Sequence, residues 1–142
     1  MSQETKKPSL FFLRVTDGET KVSRLVQTIA RHVQNGQRVL ISVQDEQAKL
    51  YLDNLLWQQP AEGFLPHICS DEASNEPVVI TSMQRNLNQA DILFNLSSSV
   101  SPMIDQFSIV YELQDMTTPE RHELSKEKLE SYKKSGVEVQ ER

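Results

Sequence analysis

The chain has 142 residues, 37% hydrophobic and 25% charged, an ordinary globular composition at the length of one domain. Fifteen Lys and Arg against 20 Asp and Glu give a formal net charge of −5, which argues against a whole-surface grip on nucleic acid and sends any role near DNA through a partner. One cysteine, Cys69, excludes an intramolecular disulfide, and a charged start without an apolar run of about 18 residues predicts a cytoplasmic protein with no signal peptide or membrane span.

Residues 1–8 are polar and aperiodic and read as a flexible segment ahead of a single α/β domain over residues 9–142. Ser9–Val15 (SLFFLRV), closed by the Asp17-Gly18 turn signal, reads as a buried strand. From Lys21, the residues Val22, Leu25, Val26, Ile29 and Val33 keep the spacing of one helix face, and Asn35-Gly36 supplies the stop. Residues 38–43 (RVLISV) form a second strand, and Asp45 caps a second helix that runs to Trp57 with Pro60 beyond it. Four more strands are expected at residues 65–69, 77–81, 91–96 and 107–113, the fifth or sixth strand of the chain lying at an edge.

Between them, residues 71–76 and 82–90 read as exposed connections, and a brief helix is expected around Met103 and Ile104. Thr118 caps a last helix that opens with Pro119 and ends at Ser135-Gly136. Strand–helix alternation predicts right-handed crossovers onto a largely parallel, doubly wound sheet with helices on both faces.

Such a fold invites a nucleotide, but phosphate binding after the first strand needs a glycine-rich turn whose amides approach the anion. Here the turn reads TDGET, and the four glycines of the chain lie far apart. Cys69 sits in an apolar strand candidate and no G-x-S-x-G elbow surrounds a serine, so no nucleophile stands out. His32, His67 and His122 lack the spacing of a zinc site, His67 and Cys69 being a lone pair. No catalytic residue, cofactor or metal is expected.

Two features rise above this background. In LLWQQPAEGFLPH (residues 55–67), Trp57 and Phe64 flank a turn at a helix end, where large aromatics either anchor a partner or cap the core. On the last helix, Glu120, Glu123, Glu127 and Glu130 gather on one face, His122, Lys126, Leu129 and Lys133 form the adjacent stripe, and Leu124, Lys128 and Tyr132 point elsewhere. A cationic stripe around an apolar residue suits an acidic peptide ending in a hydrophobic side chain; the alternative is a solvated face laced with ion pairs.

The runs FFL, NGQRVLI (residues 35–41), LWQQPAEGFLPH (residues 56–67), ADILFNLS (residues 90–97) and KEKLESYKKSG (residues 126–136) together make the sequence resemble the chi subunit of bacterial DNA polymerase III holoenzyme over nearly the whole chain. The resemblance implies a Rossmann-like fold that binds no nucleotide and has no catalysis of its own. It implies a clamp-loader accessory role, with a psi subunit or equivalent clamp-loader partner on one side and the acidic C-terminal tail of single-stranded DNA-binding protein on the other. Trp57 and Phe64 match the psi-side aromatics of the family. Lys126 matches an arginine of the family's tail pocket, Leu113 an apolar residue and His122 a basic one. Leu129 and Glu130 replace a tyrosine and a lysine, and a short insertion separates Leu113 from the helix. Lysine lacks the planar fork of arginine for a carboxylate, a loss that Lys133 or Arg121 would offset. A small nucleotide-dependent α/β enzyme is the alternative.

Overall fold

In the computed structural model, which describes residues 8–58 and 66–142, β1 (Ser9–Val15) feeds α1 (Gly18–Gln34), and β2 (Val39–Ser42) feeds α2 (Glu46–Trp57). Three strands then follow without an intervening helix: β3 (Ile68–Cys69), β4 (Val78–Thr81) and β5 (Ile92–Asn95). A 3-10 turn at Ile104–Gln106 precedes β6 (Ile109–Asp115), α3 (Pro119–Lys134) and β7 (Val139–Glu141). The seven strands make one sheet in the order β3-β4-β2-β5-β6-β1-β7, with every pairing parallel.

Local chemistry explains where the helices start and stop. The Asp17 carboxylate accepts from the Thr20 amide at 2.8 Å, so the Asp-Gly pair that reads as a turn is the N-cap, and α1 begins at Gly18, ahead of Lys21. Asp45 and Thr118 cap α2 and α3 in the same way. Gly36 and Gly136 end α1 and α3 with φ of 77° and 79°, the left-handed conformation that a residue without Cβ adopts at little cost.

The sheet separates two apolar layers. Phe11, Leu13, Ile41, Phe94 and Leu113 face α1 and α2, packing with Leu25, Ile29, Leu52 and Leu56. Leu10, Phe12, Leu40, Leu93 and Val110 face the other way, against Leu87, Met103, Phe107 and Tyr132 of the later connections and α3. Helices therefore cover both faces, as the alternation predicts.

Several expectations are corrected. The fifth and sixth strands are interior; the edges belong to β3 and β7. β7 escapes the pattern because VQE offers one apolar residue at its start and ends in charge, a composition suited to an edge. β3 is two residues long rather than five, and Leu65 lies outside the described residues. Residues 82–90 are not uniformly exposed: Leu87, Asn88 and Ala90 are buried. The Asn88 amide makes that burial possible by donating to the carbonyls of Val39 and Glu76 at 3.2 and 3.0 Å. Of the expected loose segment 1–8, residues 1–7 lie outside the described residues and Pro8 is buried.

Candidate functional site

At the end of α2, Trp57 is 54% exposed, so it does not cap the core. Its indole Nε1 donates to Asp53 Oδ1 at 3.1 Å, one helical turn back. His67 approaches the same oxygen through Nε2, also at 3.1 Å, and because an ionised carboxylate only accepts, this nitrogen carries the hydrogen. The Trp57 and His67 rings lie 4.8 Å apart. Asp53 thus holds an exposed indole and a buried imidazole in one arrangement, with Leu50 and Tyr51 exposed on the same helix. Phe64 lies outside the described residues.

Cys69 stands nearby on β3, half-buried and packed against the α2-side core. Burial, followed by the Asp53 charge, pushes its thiol up to about 11, which leaves it protonated and a poor nucleophile at neutral pH. Among the described residues no group of three His, Cys, Asp or Glu side chains could hold a metal.

The second region is α3. Ser125 anchors it to β6: its hydroxyl accepts from the Asp115 amide at 2.9 Å and donates to the Leu113 carbonyl at 3.1 Å. One and two turns on, Lys128 and Tyr132 reach the carboxylate of Glu112, which is fully buried. The Tyr132 hydroxyl donates to Glu112 Oε2 at 2.6 Å and Asn95 Nδ2 donates to it at 2.7 Å. Lys128 Nζ also donates to the Ser97 carbonyl at 2.7 Å, tying down the loop after β5. Burial raises the Glu112 carboxyl above its ordinary range against the pull of Lys128, Tyr132 and Asn95, and burial beside that carboxylate raises the Tyr132 phenol. The pattern reading missed this network. Its signal was a glutamate inside the apolar run IVYEL, which a buried strand tolerates only with partners.

With Ser125, Lys128 and Tyr132 inward, the predicted stripe becomes a flank of the helix. His122 and Leu129 are half-buried, while Lys126 and Lys133 are exposed and make no ion pair among the described residues. Leu129 packs against the layer of Leu10 and Phe12, alongside Val137 and Val139. Glu123, Glu127 and Glu130 share the shallow outer hollow with Lys126 and temper its field. The structure therefore brings His122, Lys126, Leu129 and Lys133 together. It does not bring Leu113 to them: that side chain is buried on the opposite sheet face, beneath α1 and α2.

The turn after β1 offers no cradle for phosphate. Its Asp17 carboxylate already occupies the N-terminus of α1, putting a negative charge where an anion would sit.

Comparison with known proteins agrees with this architecture. A family model described as DNA polymerase III chi subunit, HolC, matches residues 8–140. The DNA polymerase III subunit chi of Escherichia coli (strain K12) is 33% identical over 127 residues, covering 87% of this chain and 86% of the relative. Its counterpart from Haemophilus influenzae is 28% identical over 131 residues, covering 89% and 88%, and that from Pseudomonas aeruginosa is 28% identical over 106 residues, covering 75% and 74%. A match over almost every described element, together with this identity, shows that the chain belongs to the DNA polymerase III chi subunit family.

Proposed function

We propose that this chain is a non-catalytic accessory subunit that links the clamp-loader assembly to single-stranded DNA-binding protein. One flank of α3 takes that protein's acidic C-terminal tail, and the Trp57 surface, with Phe64, meets a psi-type or helicase-type partner. Membership of the chi family supports a role in replication. The observation that carries the tail contact is the flank of α3, where half-buried Leu129 stands beside the exposed ammonium groups of Lys126 and Lys133. Apolar contact and positive charge converge there, the combination an acidic peptide with a hydrophobic end requires. Leu113 contributes from beneath, through the carbonyl that fixes Ser125, rather than by touching the peptide.

Titrating a fluorescent acidic peptide ending in phenylalanine tests this reading. Lys126→Glu replaces attraction by repulsion and is expected to weaken binding by about 1 to 3 kcal/mol. An exposed charge swap should move stability by only about 0.5 kcal/mol, which melting curves check. Equal affinities of wild type and variant, with unchanged stability, sink the assignment of the flank. A pull-down from the native host, probed for single-stranded DNA-binding protein and clamp-loader subunits, tests the adaptor role as a whole.

A further inference from the structure

The α3 flank carries lysines and a histidine but no arginine, and the nearest arginine on the helix, Arg121, projects about 140° around the axis from Lys126. Its guanidinium lies by the Thr117 hydroxyl at 3.5 Å. An arginine on the sheet turns toward the same helix. Along β1, Leu10 and Phe12 belong to the layer beneath α3, whereas Phe11, Leu13 and Val15 belong to the opposite layer. Alternation therefore turns Arg14 toward α3, and its Nε does lie 3.3 Å from the Met116 sulfur, just before the helix cap.

The level and the side both fit. Ser125 is fixed over the peptide between Leu113 and Asp115, and Arg14 is the register partner of Gln114 at that level. Lys128 reaches the loop after β5, so the flank of His122, Lys126 and Leu129, on the other side of the inward face, overhangs β1 and β7. Arg14 is exposed there. By the same alternation Glu141 of β7 shares this sheet face, since it pairs with Phe12, and no ion pair joins it to Arg14 among the described residues.

We propose that Arg14 supplies the guanidinium fork of the peptide site, binding a carboxylate of the acidic peptide where it runs between α3 and the β1–β7 side of the sheet. The proposal rests on the peptide-binding reading of α3 above and adds a contact from an element that the helix pattern does not include. Lysine and histidine offer point donors; only a guanidinium offers two parallel N–H groups to one carboxylate.

The test uses the full chain and the same fluorescent acidic peptide ending in phenylalanine, with wild type, Arg14→Ala, Arg14→Lys, Arg121→Ala and Lys126→Glu, each with a melting curve. Arg14→Ala is expected to weaken binding about tenfold, the loss of one charge-assisted contact, and Arg14→Lys to recover only part of it. Arg121→Ala should bind within about twofold of wild type, as an uninvolved surface change does. Wild-type affinity in Arg14→Ala beside a defective Lys126→Glu overturns the role of Arg14 and leaves the α3 reading standing. Full recovery in Arg14→Lys overturns the fork. No binding by the wild-type chain overturns both readings.

Discussion

Lys128 shows how one side chain couples sheet, loop and helix. Its ammonium is shared between Glu112 and the Ser97 carbonyl in a largely buried place. Lys128→Met would leave a buried carboxylate with only neutral donors, and breaking such a pair typically costs about 3 to 5 kcal/mol. Denaturant unfolding should show that loss, and Glu112→Gln added to Lys128→Met should recover part of it. The deficit should also shrink as pH falls, because burial already raises the Glu112 carboxyl and protonation removes the stranded charge.

Asp115 behaves in the opposite sense. Burial would raise its carboxyl, but Lys21 at 2.7 Å and the hydroxyl and amide of Thr117 outweigh burial and hold it below the ordinary aspartate range. A depressed carboxylate contributes stability above its unfolded value and loses it as pH falls through the folded one. Stability curves of wild type and Asp115→Asn are therefore expected to differ at neutral pH and to converge in strong acid. Trp57, more than half exposed, belongs to another class of residue. Trp57→Ala should cost only about 1 kcal/mol of stability while removing the proposed partner anchor, worth about 2 kcal/mol or more. Calorimetry against the psi-type partner and a melting curve separate the two, and a variant that fails to fold would restore the core-cap reading.

At the scale of elements, most of the order was legible because helix and strand periods differ. Val22 to Val33 declares one helical face, and VLIS, VVIT and ILFN are short β-branched or aromatic runs that only buried parallel strands explain. α3 was legible in its caps but not in its orientation. Its apolar residues are few, and its inward positions are Ser125, Lys128 and Tyr132, so hydrophobic pattern alone points Lys128 outward. Polar partners on other elements, Glu112 and Asn95 above all, decide the rotation of the helix, and those are tertiary facts. Leu113 illustrates the same limit: the family resemblance suggested a pocket wall, whereas strand alternation places it on the far face. Arg14 was invisible for the converse reason, since a charged residue near a strand end shows which element it meets only when the neighbouring strand is known.

For the molecule as a whole, the net charge of −5 predicts weak binding of naked oligonucleotide at physiological salt, because a phosphate grip rests on several clustered cations. Anisotropy titration should show little binding to bare single strands and recruitment once the strand carries single-stranded DNA-binding protein with an intact tail. Salt should weaken that recruitment steadily, as the contacts proposed for α3 lie at the surface.

The place of β1 in the sheet also governs how the chain must assemble. It is made before the other six strands of the sheet, yet it lies between β6 and β7, with Ser9 opposite Ile109 and Phe12 opposite Glu141. A ribosome must therefore deliver nearly the entire chain before SLFFLRV finds either neighbour. Until then two phenylalanines and two leucines await their sheet partners, while β2, β4 and β5 have all appeared and can already pair among themselves. Contacts so distant in sequence close slowly, so the last event of folding should be the insertion of the first strand.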